Sequence, residues 1–257
     1  MKAALVQTAP VSGVIDANVD ALVAAVEACP EAELAVFPEL FLGGYRLDLA
    51  RELAQPLDGR AVRAVCEVAR SASCAIVVGL PEQAAGGVAN TALFVDAHGE
   101  IAGGYRKTHL FDRELDTFVP GEALEPLPVA GRRLGPMICF DVEFPEVARS
   151  LAGRGADLFV TIAANMEPFR EDQELAMRAR SLENGVPHIY VNRVGEESGF
   201  AFVGRSQAVC GGGQQLVLAG GGEATLLVEV PAAGAHDSRL SYRDHLRPEL
   251  YSRRSAG

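Results

Sequence analysis

No stretch of this chain approaches the roughly 20 consecutive apolar residues of a membrane span, and no two cysteines have CxxC spacing. The five cysteines, Cys29, Cys66, Cys74, Cys139 and Cys210, are odd in number. Neither a disulfide framework nor a zinc site is favoured, and a reduced, cytoplasmic setting is expected. Basic residues are in short supply: 23 Lys and Arg face 34 Asp and Glu, a formal net charge of −11. That balance argues for solubility and against nucleic acid or an anionic membrane as partner. The N-terminus has the pattern of a strand and not of a signal peptide. No repeat of fixed period is found, and the glycine runs at 211–213 and 220–222 match turns better than a phosphate loop.

What the chain does have is length and apolar content for one substantial core, with 257 residues, 49% hydrophobic and 22% charged. A single domain over 1–257 is expected, with 236–257 as a C-terminal tail. Short β-rich runs at 3–7, 34–37 and 75–79 alternate with helical patterns at 15–28 and 59–73. Residues 91–96 and 101–107 flank Ala97-His98-Gly99-Glu100 as a hairpin. The rhythm then recurs: a strand before Cys139, a helix at 144–154, a strand at 157–163, a helix at 173–184 and a strand at 188–192. Two similar halves, each building a mixed sheet, are predicted. Beyond Gly199 the pattern predicts β-hairpins over 201–209 and 215–230. Pro136, inside the strand before Cys139, removes a backbone donor and predicts an edge or bulge there.

Cys139 sits where the apolar run Leu134-Gly135-Pro136-Met137-Ile138 breaks toward an amphipathic helix pattern. A strand-to-helix turn presents a side chain at the end of a sheet, and the positive helix end can lower a thiol pKa below about 8.5. The alternative is an inert core thiol, since cysteine is among the most buried residue types. No histidine makes a convincing base. His98 falls in a hairpin turn, His236 and His245 in the tail, and His188 opens an apolar strand; His109 is the least poor candidate for a Cys-His pair. Carboxylate and ammonium groups offer a better account. Glu39, in Phe37-Pro38-Glu39-Leu40-Phe41, is a carboxylate at a strand end among bulky apolar groups, where burial raises its pKa and suits it to act as a base. Lys107, in Tyr105-Arg106-Lys107-Thr108-His109-Leu110, could supply a fixed positive charge or be a snorkelling surface lysine.

Phe37-Pro38-Glu39, Tyr105-Arg106-Lys107-Thr108-His109-Leu110 and Ile138-Cys139-Phe140-Asp141 through Phe144-Pro145-Glu146 resemble, in order and spacing, the Glu-Lys-Cys motifs of the nitrilase superfamily of carbon-nitrogen hydrolases. The likeness continues through 192–197, 202–206 and Arg247-Pro248-Glu249-Leu250-Tyr251, nearly the whole chain. The resemblance implies an α/β fold, a four-layer α-β-β-α sandwich with two mixed β-sheets, and a homodimer or higher homo-oligomer paired through helical faces. It implies Cys139 as nucleophile, Glu39 as general base, Lys107 with the Phe140 backbone N–H as oxyanion donors, and Glu114 as a second glutamate positioning Lys107 or the substrate. No metal or organic cofactor is required.

True nitrilases follow the cysteine with Trp-Glu; Phe140-Asp141 here favours an amidase or carbamoylase. The expected reaction is hydrolysis of a small linear carboxamide through a thioester. N-carbamoyl hydrolysis is the alternative, with nitrile hydrolysis, acyl transfer and a non-catalytic scaffold behind it. Tyr45, Glu143, Asn165 and Met166 are the candidate substrate-binding residues, Glu143 either meeting a substrate amine or pairing with a residue such as Arg149. Similar proteins often carry a Pro-Asp-Gly-like turn where this chain has Val209-Cys210-Gly211-Gly212-Gly213.

Overall fold

Strands that are apolar on both faces need cover on both faces, and the architecture supplies it. The computed structural model describes residues 1–234 and 241–251. Its elements run β1 (Lys2–Gln7), α1 (Ile15–Glu27), β2 (Leu34–Val36), α2 (Ala50–Leu53), α3 (Arg60–Ala72), β3 (Ala75–Ala84), β4 (Gly87–Val95) and β5 (Ile101–Arg106) in the first half. The second half holds β6 (Leu127–Val129), β7 (Arg132–Ile138), α4 (Pro145–Gly153), β8 (Leu158–Ala163), α5 (Arg170–Asn184) and β9 (His188–Asn192). Then follow β10 (Val194–Glu197), β11 (Phe200–Val203), β12 (Gln207–Val209), β13 (Gln215–Leu218), β14 (Ala224–Glu229) and α6 (Pro248–Tyr251).

One sheet has the order β14-β1-β2-β3-β4-β5 and the other β13-β12-β9-β8-β7-β6. Read from β14 and from β6, both show the same succession of pairings: antiparallel, parallel, parallel, antiparallel, antiparallel. The two mixed sheets anticipated from the sequence are therefore equivalent halves.

Period-two alternation sorts each strand between two cores. Ala3 and Leu5 of β1, Val36 of β2, Val77 of β3 and Phe94 of β4 join Ile138, Val160 and Ile189 of the other sheet between the layers. Their neighbours Ala4, Val6, Ala35, Ile76 and Val78 face outward onto Leu22 and Val26 of α1 and Val62, Val65 and Ala69 of α3. Helices α4 and α5 cover the outer face of the second sheet, where Val147, Leu151 and Met177 belong to the same cluster as Met137 and Phe159. This is a nitrilase-like four-layer α-β-β-α sandwich.

Pro136 pairs with Val160 of β8 on one side, while β6 covers β7 only as far as Leu134. The proline thus lies where β7 is locally an edge, which its missing N–H requires. The first hairpin is longer than its sequence suggests. Pro81-Glu82-Gln83 interrupts the apolar run that ends near Gly79, yet β3 continues to Ala84 and turns back at once into β4. Strand β2 reaches only Val77 of β3; beyond it Gln55 takes the place beside Pro81, its N–H donating to Pro81 O at 2.8 Å and its carbonyl accepting from Gln83 N at 2.9 Å.

The hairpins expected over 201–209 and 215–230 are corrected. Residues 200–203 pair with β10 in a separate two-stranded ribbon, while 207–209 pair with β9 and β13 in the second sheet. Strands β13 and β14 belong to different sheets, with β14 antiparallel to β1. The crossing between them is held by Gln7, whose Nε2 donates to Gly220 O at 2.8 Å and whose Oε1 accepts from Ser206 N at 2.8 Å. Alternating β-propensity cannot distinguish a hairpin from two strands that part to different layers. The tail resolves into a turn at Tyr242–His245 and helix α6; His236 lies outside the described residues. Among the described residues no helix is long and apolar enough to cross a membrane.

Candidate active site

Three of the four motif residues occupy the carboxyl ends of strands, where open α/β sheets place their ligands. Glu39 follows β2, Lys107 follows β5 and Cys139 follows β7. Glu114 lies in a short 3-10 turn at Asp112–Asp116. Cys139 opens another such turn, Cys139–Glu143, with φ of 46°, a left-handed conformation unusual for a residue with a side chain. Phe140 is next, in the first turn, where backbone N–H groups have no acceptor earlier in the helix.

Glu39, Lys107 and Glu114 are buried together. Lys107 Nζ is 2.8 Å from Glu39 Oε1 and 2.8 Å from Glu114 Oε2. Glu39 also accepts from Asn90 Nδ2 at 2.7 Å and, through its other oxygen, from Ala164 N at 2.7 Å. Glu114 is fixed by Phe111 N and by the Tyr45 hydroxyl, each at 2.9 Å. Burial raises the Glu39 pKa above the ordinary carboxylate value, opposed by Lys107. Burial also works against the Lys107 ammonium, but the Glu114 and Glu39 carboxylates outweigh it and hold the lysine charged well above its usual range.

The thiol behaves otherwise than expected. Burial first, and then the Glu39 carboxylate, push the Cys139 pKa up, with Lys107 and Gln173 only partly offsetting them. The helix end does not win over burial, which with the Glu39 charge favours the neutral thiol. Its hydrogen-bond partner is Gln173, whose Nε2 lies 3.3 Å from Sγ. The Cys-His alternative is corrected as well. His109 stacks on Phe144 at 4.0 Å and its Nδ1 sits 2.9 Å from Asp141 Oδ1, turned to a structural partner.

In front of Cys139 lies a pocket of about 150 Å³. Its walls include Phe111, Phe140, Met166 and Phe169, and its polar end Glu143, Asn165, Asp172 and Gln173. Among the described residues no cluster of His, Cys, Asp or Glu could hold a metal ion.

Comparison with known proteins is decisive at this point, because the carbon-nitrogen hydrolase family model matches residues 2–239. The chain belongs to the carbon-nitrogen hydrolase family. It is 36% identical to the "Hydrolase in pqqF 5'region" of Pseudomonas protegens, across 98% of this chain and 90% of that protein. It is 35% identical to an (R)-stereoselective amidase of Pseudomonas sp, across 96% and 90%. Among solved structures, the amidase of Nesterenkonia sp. AN1 superposes with a TM-score of 0.88 at 32% identity, covering 98% of each chain. That structure is a glutamate-to-glutamine variant with acrylamide added at its active-site cysteine.

Of the candidate substrate residues in this carbon-nitrogen hydrolase, Glu143, Asn165 and Met166 line the Cys139 pocket. Tyr45 does not line that pocket; it is buried in one cluster with Met166 and Phe202, and its hydroxyl donates to Glu114 Oε1 at 2.9 Å. Glu143 is half-buried, accepts from Gln173 Nε2 at 3.2 Å and forms no ion pair with Arg149. Segment 41–45 is packed into the interior as a wall. His188 is also interior, bonded to Thr161 Oγ1 at 2.7 Å.

Asn90 and Gln173 were not singled out in the sequence, and Asp141 was read only as part of the cysteine motif, without its role as an anchor. Asn90, the partner of Glu39, is a lone amide in the apolar run Val88-Ala89-Asn90-Thr91-Ala92-Leu93, a signal that was available. Asp141 accepts from Ile138 N, Tyr105 OH, Thr108 Oγ1 and His109 N at 2.8–3.0 Å. It thereby ties the lysine segment to the cysteine turn. Gln173 lies in the polar start of α5, Arg170-Glu171-Asp172-Gln173, where nothing sets it apart in sequence.

Proposed function

We propose that this chain hydrolyses small linear carboxamides to a carboxylic acid and ammonia through a thioester on Cys139. The observation that carries it is the buried Glu39–Lys107–Glu114 group beside a protonated thiol at the mouth of a small, largely apolar pocket. Glu39 takes the thiol proton as Sγ attacks the amide carbon. Lys107 and the Phe140 N–H stabilise the oxyanion, donors of this kind contributing roughly 3 kcal/mol each. Glu39 returns its proton to the leaving nitrogen, ammonia departs, and water activated by Glu39 cleaves the thioester. Glu114 positions Lys107. Because Lys107 stays charged between two carboxylates, its role is electrostatic and it exchanges no proton. The amidase names of the Pseudomonas and Nesterenkonia relatives support this reading.

A substrate panel tests it. Ammonia release from simple carboxamides, with N-carbamoyl compounds and nitriles as comparison sets, is expected for the carboxamides; inactivity on all of them would overturn the reading. Added hydroxylamine should divert the thioester to hydroxamate.

The two sheets serve this one site, so we treat 1–257 as a single catalytic unit. A homodimer through the α4/α5 face is the expected assembly. Leu175 and Leu182 of α5 are exposed there, and Nη1 of Arg149 and Nη1 of Arg180 are buried without a hydrogen-bond acceptor among the described residues. Light scattering should report twice 27.1 kDa; a monomer would contradict it. The five free cysteines fit a reduced, cytoplasmic setting.

A further inference from the structure

The Cys139 pocket carries an uneven charge. Glu143 and Asp172 both line it, and no Lys, Arg or His does. Neither carboxylate has a cation within ion-pair distance among the described residues; Glu143 Oε1 accepts only the Gln173 amide. Gln173 Nε2 is 3.3 Å from Cys139 Sγ and 3.2 Å from Glu143 Oε1, so sulfur and carboxylate oxygen lie within about 6.5 Å of each other. The Gln173 amide is itself steadied from behind, its Oε1 accepting from Tyr190 OH at 2.8 Å. Deeper in the site Glu39 and Glu114 share the single cation Lys107. A carboxylate on the acyl group of a substrate would enter this field against like charge, whereas an ammonium would find two unpaired carboxylates.

Resting on the amide-hydrolase reading above, we infer that Glu143, with Asp172, makes this site selective for carboxamides bearing a protonated amine near the carbonyl, on the α or β carbon. An amine there spans the gap between the acyl carbon on Sγ and Glu143 Oε1. Amides of dicarboxylic acids and N-carbamoyl amino acids, which carry an anion in that region, are disfavoured. Glu143 is thus a specificity-determining residue, and Gln173 the positioning residue that sets its distance from the nucleophile.

Three amides of nearly equal size test this: β-alaninamide, butyramide and malonamate, which are cationic, neutral and anionic near neutral pH. The expected order of kcat/KM is β-alaninamide above butyramide by about tenfold and malonamate below it by about tenfold. Glu143→Gln should bring the cation-to-neutral ratio to within about twofold, and Asp172→Asn should reduce it by less. A wild-type ratio near one, malonamate at parity, or a ratio unchanged in Glu143→Gln would overturn the inference. If no amide is turned over, it is the hydrolase reading that fails. The charge preference is then read separately, from ligand-observed NMR binding of the same three amides to Cys139→Ala. Tighter β-alaninamide than malonamate supports it, and equal or reversed binding overturns it.

Discussion

A Cβ at Gly79 would stand 2.7 Å from the Cα of Glu39, and 2.4 Å from both Pro38 O and Leu40 N. Strand β3 thus passes directly beneath the turn that carries the proposed base, and only a glycine permits the approach. Gly79→Ala is expected to displace Glu39 from Lys107 and lower kcat more than tenfold, since small misplacements of a reacting group are costly. Steady-state kinetics alongside a thermal melt check this; full activity would show that the turn relaxes without moving the carboxylate.

Asn90 donates to the same Glu39 oxygen that Lys107 contacts. Burial raises the Glu39 pKa, and the Asn90 hydrogen bond pulls it down. The acid limb of kcat/KM should therefore lie above the ordinary glutamate value of about 4.3. In Asn90→Ala it should move to still higher pH, because a proton then competes better for the carboxylate. A limb that stayed in place, or moved to lower pH, would remove Asn90 from this role.

Asp141 is buried and gathers donors from both the lysine segment and the cysteine turn. Asp141→Ala leaves those donors without an acceptor, at a cost of about 2–4 kcal/mol of stability. Activity should fall with it, because residues 105–109 and 138–141 lose their common anchor. Urea unfolding measures the first effect and kcat the second; a variant with unchanged kcat would mean the two segments hold their places unaided.

His188 is fully buried, and burial lowers its pKa to about 3. The unfolded chain titrates it near 6.5, so below that pH the unfolded state binds the proton and the folded state does not. The folded protein is unaffected above about pH 7 and loses stability as pH falls, by about 2 kcal/mol near pH 5 from this residue. Chemical denaturation at both pH values, compared with His188→Gln, should show a smaller loss in the variant. Equal losses would place the acid sensitivity elsewhere.

The parallel βα units were legible in the sequence because each strand is short, apolar and followed by a helical period, as in 34–36 and 158–163. The C-terminal strands were not, because Gln207–Val209 and Gln215–Leu218 look like their neighbours while the layer each joins is set by contacts with β9 and β12, remote in sequence or in register. Glu39, Lys107 and Cys139 stood out as charged or nucleophilic residues within apolar surroundings at strand ends. The state of the thiol did not: a helix following Cys139 suggests a lowered pKa, but only the burial of Cys139 beside Glu39 reverses the sign. Gln173 was illegible, because a polar residue in a helical first turn is ordinarily solvated, and its contact with Cys139 depends on how α5 lies over the cysteine turn.

The central claim is that Cys139 forms a covalent bond with the carbon of an amide. The most direct test is ammonia release from butyramide and β-alaninamide by the wild type and by Cys139→Ala, with circular dichroism establishing that both are folded. The account predicts turnover by the wild type and none above background by the folded variant. Wild-type-like ammonia release from Cys139→Ala would contradict it.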